Sequence, residues 1–476
     1  MLGRTKRVHF VGVGGIGMSG IAELLSNLGY AVSGSDLKRS DLTARLEFLG
    51  VRVSIGHDAA HVGDADVVVY SSAVQPGNPE IVEAHSRRIP VIPRAEMLAE
   101  LMRLRSGIAV AGAHGKTTTT SMVALVLERA GLDPTAVIGG KLSAFGSNAR
   151  LGRGEYMVVE ADESDRSFLR LTPTIAVITN IDHEHLEAYR DFDDLCRSFA
   201  EFANKVPFYG AVVACLDDPH VRSIVAGLAR RVITYGLDAE GADVGGLEVS
   251  QSDGTWRCLV VPGPNLARAA GLAEPPPSPL CTLSLAIPGR HNLQNALAAI
   301  AVGLELGLDP SAVATALGSF PGADRRFQRL GEARGVLVID DYGHHPTEIR
   351  AVLDAARASL GRRLIVAFQP HRYTRTAALL DRFGPALAQA DEVVLADIYA
   401  AGEPPIPGVT IEALAAAIRP HLGGRLHVTP SLDDLVSTVV RLARPGDAVI
   451  TLGAGSIGAV GPRLIGALGG AERGRP

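Results

Sequence analysis

Short runs of apolar, mostly β-branched residues alternate with Ala- and Leu-rich stretches along most of the chain. Continuous apolar runs predict parallel strands buried on both faces, and the stretches between them predict the connecting helices. The expected strands form three sets: residues 8–13, 31–33 and 67–71; residues 108–111, 157–160, 175–179 and 211–215; and residues 336–340, 364–368, 393–396 and 448–452. We therefore predict an α/β protein of three domains, at residues 1–104, 105–321 and 322–476.

The charge balance and the cysteines narrow the classes of function. The 476 residues include 46 basic and 51 acidic side chains without a basic tract, so we expect no nucleic-acid partner. The four cysteines lie far apart, which favours reduced thiols over a disulfide framework or a zinc knuckle. The N-terminus carries no apolar signal core, and the uncharged run 448–462 is too short to span a bilayer. We expect a cytoplasmic protein without a membrane partner.

A glycine-rich motif follows the first expected strand. Residues Gly12 to Gly17 read G-x-G-x-x-G and open an expected helix through Leu28, and Asp36 ends the next strand. Glycines let the backbone approach a pyrophosphate, and the helix N-terminus offers N–H groups to it. An acidic residue at this separation can accept a hydrogen bond from a ribose hydroxyl. The motif predicts binding of a nucleotide diphosphate without saying which one. The alternative is a tight strand-to-helix turn that binds no ligand.

A second motif follows the strand at residues 108–111. The sequence Gly112-Ala113-His114-Gly115-Lys116-Thr117-Thr118 places a lysine and a hydroxyl at the start of an expected helix through Ala130. Backbone N–H groups can cradle phosphates there, Lys116 can neutralise them, and Thr117 can bind magnesium. The motif is a shortened form, because Val110 stands where the full pattern has glycine. It predicts ATP binding.

Polar side chains follow two further strands of the same expected domain. Glu160 lies at the end of one strand, and the stretch 180–185 follows the next. Ligands collect at the carboxyl ends of parallel strands, where a carboxylate and an imidazole can hold magnesium among mainly oxygen ligands. We expect Asp162, Glu163 and Asp165 to form a solvated acidic turn instead.

The third expected domain has similar strand ends at residues 340–346 and 369–375. The adjacent histidines His344 and His345 do not favour a zinc site, because neighbouring side chains point in different directions. Arg372 and Arg375, three residues apart, can clamp a carboxylate or a phosphate. A third glycine motif, residues 453–458, has only 18 residues after it, so it predicts a turn or a loop facing an active site.

Taken together and in order, these motifs resemble those of the Mur ligase family, the ATP-dependent amide-forming enzymes of peptidoglycan synthesis. The resemblance is carried by residues 9–22, 112–120, 160–168, 179–185, 289–295, 325–328, 340–346 and 368–376. It implies a Rossmann-like N-terminal domain, a central P-loop ATPase-type domain and a Rossmann-like C-terminal domain. It also implies a reaction that joins L-alanine to UDP-N-acetylmuramate at the expense of ATP. We expect a monomer or a weak homodimer.

The resemblance also implies roles for individual residues. The UDP-sugar is expected to bind Gly14, Gly15, Ile16, Asp36, Ser71, Ser72 and Ala73. ATP is expected to bind Gly112, Ala113, His114, Gly115, Lys116, Thr117, Thr118, Asn292, Asn295 and Arg326. Magnesium is assigned to Thr117, Glu160 and His185, and the amino acid to Asp341 and Tyr342. The expected catalytic residues are Lys116, His344, His345, Arg372 and Arg375.

Three departures from the family pattern and three alternatives accompany this interpretation. Ala113 replaces a threonine, Arg166 interrupts an acidic stretch, and Glu184 replaces an aspartate before the expected metal-binding histidine.

The nearest alternative is a ligase of the same family for another amino acid or for a preformed peptide. An NAD-dependent dehydrogenase would use the first glycine loop and Asp36 but leaves Lys116 unexplained. A non-catalytic nucleotide sensor leaves the strand-end acids and histidines unexplained.

Overall fold

A computed structural model describes residues 3–71, 73–142, 147–184, 186–252, 254–269 and 279–470. Two of the expected site residues, Ser72 and His185, lie outside the described residues. The chain divides into two compact units. The first comprises Met1–Val249, Cys258–Ser284 and Gln294–Phe320, and the second comprises Ser250–Arg257, Leu285–Leu293 and Pro321–Pro476.

The first sheet contains β1 (Arg7–Val11), β2 (Ala31–Asp36), β3 (Arg52–Ile55), β4 (Val67–Tyr70) and β5 (Val91–Pro93). The helices around it are α1 (Ile16–Asn27), α2 (Asp41–Phe48), α3 (Pro79–Ser86) and α4 (Arg94–Met102). All neighbouring strands are parallel, in the order β3-β2-β1-β4-β5. The strand order reverses at β1 and β4, so the crevice for a ligand lies beyond the carboxyl ends of these two strands.

The second sheet contains β6 (Ser106–Ala111), β7 (Thr135–Leu142), β8 (Ser147–Arg150), β9 (Tyr156–Glu160), β10 (Ile175–Ile178), β11 (Ala211–Cys215), β12 (Val232–Gly236), β13 (Val244–Ser252), β14 (Thr255–Pro262) and β15 (Cys281–Leu285). The helices are α5 (Lys116–Arg129), α6 (Phe192–Asn204), α7 (Pro219–Val225), α8 (Pro264–Ala269), α9 (Arg290–Glu305) and α10 (Pro310–Gly318). The strand order is β15-β14-β13-β12-β11-β10-β6-β9-β7-β8. The strands β6 and β10 are parallel neighbours, so the residues that follow them meet at one edge.

The third sheet contains β16 (Gln328–Ala333), β17 (Val336–Asp341), β18 (Leu364–Phe368), β19 (Glu392–Leu395), β20 (Leu426–Val428) and β21 (Ala448–Leu452). The helices are α11 (Pro346–Leu360), α12 (Tyr373–Ala378), α13 (Leu380–Leu387), α14 (Ile411–Leu422), α15 (Leu432–Leu442) and α16 (Val460–Gly470). The order is β16-β17-β21-β18-β19-β20, parallel except for β16. Short 3-10 helices occur at Ala59–Val62, Ser167–Arg170, Leu186–Ala188, Gly423–Arg425 and Ser456–Ala459.

Buried apolar strands form the centre of each sheet, as the sequence predicts. The strands β6, β11 and β21 are buried along almost their whole lengths, because helices cover both faces of a parallel sheet. The α/β class with three domains is confirmed. Among the described residues, no helix is both long and apolar enough to cross a membrane.

Candidate active site

The loop from Gly112 to Gly115 connects β6 to α5. The backbone conformation at its first and last residues favours glycine. The φ angle is +143° at Gly112 and +80° at Gly115. A Cβ atom at Gly115 would lie 2.6 Å from Oδ1 of Asn295, which is too close for any carbon. The loop can therefore turn tightly into the N-terminus of α5, where the first N–H groups of a helix have no intrahelical acceptor. This geometry suits a phosphate group.

Residues at the end of β10 hold the backbone of this loop. The Asn180 amide donates to the carbonyl of His114 at 2.9 Å and accepts from the His114 N–H at 2.8 Å. The Thr179 hydroxyl donates to the same carbonyl at 2.7 Å, and Ala113 N–H donates to the Asn180 carbonyl at 3.1 Å. These four hydrogen bonds fix the backbone of the loop. The sequence placed Asn180 in a strand-end stretch but did not reveal this supporting role.

Lys116 begins α5 and makes three hydrogen bonds with its ammonium group. Its Nζ donates to the carbonyls of Gly112 at 2.6 Å and Ala113 at 3.1 Å, and to Glu163 Oε1 at 2.9 Å. Glu163 is only 2% exposed. The prediction that Glu163 belongs to a solvated turn is therefore wrong, because the chain after β9 folds inward and brings this carboxylate to the lysine. Asp165 is exposed, as expected for that turn.

The charge on Lys116 is stabilised by the acidic residues around it. Burial alone would lower the pKa of the ammonium group, but the carboxylates of Glu163, Asp162, Glu160 and Glu184 raise it above its ordinary value. The lysine therefore keeps its proton. A fully charged ammonium beside a phosphate-binding loop is what binding a nucleoside triphosphate requires.

Thr117 and Glu160 form a cluster of oxygen atoms next to this lysine. The Thr117 hydroxyl lies 3.0 Å from Glu160 Oε2, which also accepts the N–H of Gly139 at 2.8 Å. A hydroxyl and a carboxylate are ligands that magnesium prefers. This donor set fits the expected magnesium contacts at Thr117 and Glu160.

His114 lies between two carboxylates that follow β10. Its Nε2 is 3.0 Å from Asp182 Oδ2, and its Nδ1 is 3.9 Å from Glu184 Oε2. Glu184 is 8% exposed. The side chain of His114 is thus fixed by acids from the neighbouring strand end, while the His114 backbone belongs to the phosphate loop. Thr118, on the first turn of α5, is also buried.

The N-terminal glycine loop is held by the end of β2. The N–H of Gly14 donates to Asp36 Oδ2 at 2.8 Å, and the N–H groups of Gly12 and Val13 donate to the Ser35 carbonyl at 2.9 Å each. Gly15 precedes α1, Ile16 is the first residue of α1, and Ser71 and Ala73 follow β4. The structure therefore brings Asp36 to the glycine loop, as the motif predicts.

Arg94 is a cation near this loop that sequence reasoning missed. It begins α4, its guanidinium fills the space beside Gly17 that a Cβ atom would occupy, and its Nη2 lies 3.5 Å from Asp162 Oδ2. No local motif marks it, because it approaches α1 from a helix 77 positions further along the chain. A positive charge at this position suits a diphosphate.

In the second unit, Asp341 ends β17 and is 4% exposed. Its two oxygens accept the N–H groups of Phe327 and Gly343 at 2.7 Å each. Burial raises the pKa of Asp341 to about 6, although the Arg326 guanidinium and these N–H groups act in the opposite direction. The Asp341 carboxylate therefore connects two loops at the end of β17 by hydrogen bonds. Its role in binding an amino acid stays a prediction.

Glu348 on α11 organises the histidine pair. Its Oε2 accepts the N–H groups of His344 at 3.0 Å and His345 at 3.3 Å, while its Oε1 lies 3.3 Å from Arg326 Nη1. His345 is fully buried and caps α11, because its Nδ1 accepts the Thr347 N–H. The guanidinium of Arg326 lies 5.3 Å from the centre of the Tyr342 ring. The structure thus brings Arg326, Tyr342 and His344 together around Glu348.

Arg372 and Arg375 lie beside aromatic rings at the carboxyl end of β18. Arg375 Nη1 is 3.1 Å from His371 Nδ1, and Arg372 Nη1 is 3.5 Å from Glu403 Oε1. The ring of His371 stacks on Tyr399 at 5.6 Å and lies 5.5 Å from the ring of His344. Arg375 and His344 therefore both contact His371, whereas the Arg372 side chain contacts Glu403.

The remaining predicted residues have mainly structural contacts. Asn292 donates to the Pro288 carbonyl at 2.6 Å, and Asn295 packs against Gly115 of the phosphate loop. The third glycine motif follows β21 and wraps around Gln369, whose Oε1 accepts the N–H of Ile457 at 2.9 Å. This motif forms a loop and a short 3-10 helix.

Comparison with known proteins identifies the family of the chain. Three family models match in order: the catalytic domain of the Mur ligase family at residues 7–106, the Mur ligase middle domain at 110–303, and the Mur ligase glutamate ligase domain at 325–455. A protein of Syntrophotalea carbinolica named UDP-N-acetylmuramate–L-alanine ligase is 51% identical over 465 residues, which cover 98% of both chains. The chain belongs to the Mur ligase family.

Other members of the Mur ligase family agree in sequence and in structure. An Anaeromyxobacter dehalogenans protein with the same name is 54% identical over 462 residues, covering 97% of this chain and 98% of that one. The crystal structure of UDP-N-acetylmuramate-alanine ligase from Thermotoga maritima superposes with a TM-score of 0.82 at 29% identity, covering 98% of this chain and 99% of that one. The resemblance inferred from the motifs is confirmed.

Proposed function

We propose that this Mur ligase joins L-alanine to the lactyl carboxylate of UDP-N-acetylmuramate and converts ATP to ADP and phosphate. The observation that carries the proposal is the charged Lys116 in a preorganised phosphate loop. Relatives that match almost the whole chain at 51% and 54% identity bear the name of this activity and support it. The reaction is a cytoplasmic step of peptidoglycan synthesis.

The N-terminal loop is assigned to the UDP group of the sugar substrate. Gly14, Gly15 and Ile16 at the start of α1 are assigned to the diphosphate, and Asp36, whose carboxylate accepts the N–H of Gly14, is assigned to a ribose hydroxyl. Ser71, Ser72 and Ala73 are assigned to the same site. Arg94 adds positive charge near Gly17. The domain assignment that goes with this proposal is 1–104 for the sugar, 105–321 for ATP and 322–476 for the amino acid.

ATP is assigned to the second loop. Residues 112–118 cradle the phosphates, with Asn292, Asn295 and Arg326 as further contacts. Thr117, Glu160 and His185 are the residues that would hold magnesium. When bound, magnesium supplies positive charge that neutralises the phosphate oxygens. Lys116 can exchange its contact with Glu163 for a phosphate oxygen, because both are anionic acceptors.

The first chemical step makes the carboxylate reactive. An oxygen of the lactyl carboxylate attacks the γ-phosphorus of ATP, the bond from that phosphorus to the β-phosphate oxygen breaks, and ADP leaves. The product is an acyl phosphate. Lys116 stabilises the charge that spreads over the transferring group, because its position is fixed before the reaction by the carbonyls of Gly112 and Ala113.

The second step forms the amide. The lone pair of the neutral alanine amine attacks the acyl carbon, the amine proton passes to a base, and the carbon–oxygen bond to phosphate breaks. His344, His345, Arg372 and Arg375 are the proposed catalytic groups of this step, with Asp341 and Tyr342 near the amino acid. The two arginines offer positive charge to carboxylate and phosphate oxygens.

Release of phosphate from ATP tests the proposal. The full chain is incubated with ATP, magnesium and UDP-N-acetylmuramate, and single amino acids are added in turn. We expect phosphate release with L-alanine and formation of the amide product. Release only with another amino acid, or only with a preformed peptide, would assign the chain to a different Mur ligase reaction. Lys116→Ala removes the activity, whereas Lys205→Ala, in the same unit but outside the site, keeps it.

A further inference from the structure

A buried carboxylate lies at the centre of a polar cluster in the first sheet, outside the two phosphate loops. Glu80 is the second residue of α3 and is fully buried. Its Oε2 lies 2.6 Å from Nε2 of His9 on β1, and its Oε1 lies 2.7 Å from Nδ1 of His57. The hydroxyl of Ser35 on β2 donates to both oxygens at 2.8 Å. Three elements of the domain therefore converge on one side chain.

The groups around Glu80 favour its ionised form. A carboxylate only accepts, so in these two contacts the hydrogens lie on His9 Nε2 and His57 Nδ1. The other ring nitrogen of His9, Nδ1, lies 2.9 Å from Ser33 Oγ. Burial would raise the pKa of Glu80, but the hydrogen bonds from His9, Ser35 and His57 hold it below its ordinary value. His61, whose Nδ1 is 3.9 Å from Glu80 Oε1, is a further titratable group that faces it.

Ser35 connects this cluster to the N-terminal glycine loop. Its side chain is fastened to Glu80, while its backbone carbonyl accepts the N–H groups of Gly12 and Val13 at 2.9 Å each. The next residue, Asp36, accepts the N–H of Gly14. Ser35 thus contacts the glycine loop through its backbone carbonyl and Glu80 through its hydroxyl, in addition to its pairing with β1 and β3.

The residues after β4 that are assigned to the UDP group, Ser71 to Ala73, precede Glu80 in the chain. The residues after β4 lead directly into α3, and the N–H of Val74 donates to the Ser71 carbonyl at 2.9 Å. Asn78 caps α3 by accepting the N–H of Glu80 at 2.9 Å. Because Glu80 is hydrogen-bonded to β1 and β2, the start of α3 and its capping residue Asn78 are held against these strands.

We propose that Glu80 is a positioning residue that holds the glycine loop and the start of α3 in the arrangement that binds the diphosphate of the sugar substrate. The inference rests on the proposed function, because it needs a UDP-sugar at this site. It predicts a selective effect on binding of the sugar substrate. Binding of ATP depends on residues 112–118, which make no described contact with Glu80.

The test compares Glu80→Gln and Ser35→Ala in the full-length protein, singly and together. Titration calorimetry gives the Kd for UDP-N-acetylmuramate and, separately, for ATP, and the melting temperature reports folding. Glu23→Gln is the matched control, because Glu23 is also buried in this domain and binds Arg45 at 2.8 Å instead of the cluster. In addition, kcat is measured at saturating UDP-N-acetylmuramate.

We expect Glu80→Gln to weaken UDP-N-acetylmuramate binding by about tenfold, since hydrogen bonds to a charged group are lost. The Kd for ATP and the kcat at saturation stay within about twofold of wild type, because the ATP loop is untouched. Ser35→Ala weakens sugar binding in the same direction. The double variant binds like Glu80→Gln alone, because both act through one connection.

Three results would overturn the proposal: unchanged sugar binding in folded Glu80→Gln, equal losses for ATP and the sugar, or the same loss in Glu23→Gln. If Glu80→Gln does not fold, Ser35→Ala alone decides by the same comparison. If the wild-type protein binds and turns over UDP-N-acetylmuramate and Glu80→Gln binds it with the same Kd, only this inference is contradicted. Wild-type protein that does not bind UDP-N-acetylmuramate contradicts the proposed function and this inference together.

Discussion

Lys116 donates a hydrogen bond to the buried carboxylate of Glu163 across 2.9 Å. In the free protein this pair supplies the lysine with an internal anion at the position where a phosphate oxygen is expected. The carbonyls of Gly112 and Ala113 hold the same ammonium from the other side. The lysine is thus both charged and fixed before ATP arrives, which lowers the cost of arranging it for phosphoryl transfer.

Replacing Lys116 by alanine should remove turnover and spare the sugar site. We expect kcat/KM for ATP to fall by at least about 100-fold, because the main positive charge of the loop is lost. The Kd for UDP-N-acetylmuramate, measured by calorimetry, should stay within about twofold of wild type, since that site lies on another loop. A variant that retains ligase activity would contradict the assignment of the loop.

Glu163→Gln should destabilise the free protein and make ATP a stronger stabiliser. The substitution leaves the partly buried ammonium of Lys116 without the carboxylate of Glu163, and breaking a pair that is removed from water is costly. ATP then provides the missing negative charge, so the rise in melting temperature on adding ATP should exceed that of wild type. Asp165→Asn, an exposed change in the same turn, is the control. Equal rises in all three proteins would contradict the prediction.

Gly115→Ala should abolish ATP binding, whereas Gly131→Ala should not. Both residues have positive φ, +80° and +76°, so both substitutions impose backbone strain of about 1–2 kcal/mol. Only at Gly115 does the added Cβ meet another atom, Asn295 Oδ1 at 2.6 Å, while at Gly131 the space is open. Calorimetry with ATP measures the difference. Similar Kd values for the two variants would show that contact with Asn295 is irrelevant.

Asp341 should make stability depend on pH below neutrality. Its pKa is raised from 3.8 to about 6, so between these values the folded protein keeps a proton that the unfolded chain has released. The free energy of unfolding therefore falls by about 3 kcal/mol in total as the pH rises through this window. Above the window, the contribution of Asp341 no longer changes with pH. Melting temperatures across this range should show a smaller decline in Asp341→Asn. The exposed control Asp381→Asn should follow wild type, and an unchanged slope in Asp341→Asn would contradict the assignment.

Glu160→Gln should raise the magnesium concentration that half-activates the enzyme by about tenfold, because a charged oxygen ligand becomes neutral. The measurement is the rate of phosphate release as magnesium is varied at fixed ATP. Asp165→Asn provides the control for a lost charge in the neighbouring turn. A magnesium requirement equal to that of wild type would remove Glu160 from the metal site.

The sequence predicts the elements that carry local signals. The expected helices through Leu28 and Ala130 end at Asn27 and Arg129 in the structure, because a glycine loop marks each start and apolar periodicity continues to each end. The strands β13 and β14 were not predicted. Their residues alternate between buried and exposed and include polar side chains, so they lack the continuous apolar run of a central strand.

The contacts that define the sites could be predicted only in part. Asp36 and Lys116 belong to recognisable motifs, and their positions follow from the strand and helix that flank them. Glu163, Arg94 and Glu80 reach their partners across 47, 68 and 71 residues of chain, which no local pattern reveals. An acidic residue in a turn has the same local signature whether it is solvated, like Asp165, or buried against a lysine, like Glu163.

Transfer of labelled oxygen tests the central claim most directly. UDP-N-acetylmuramate carrying heavy oxygen in its lactyl carboxylate is incubated with the protein, ATP, magnesium and L-alanine, and the released phosphate is analysed by mass spectrometry. An acyl-phosphate mechanism moves a single labelled oxygen from the carboxylate into the phosphate and leaves the other in the amide product. Unlabelled phosphate, or labelled phosphate without the alanyl product, would contradict the account.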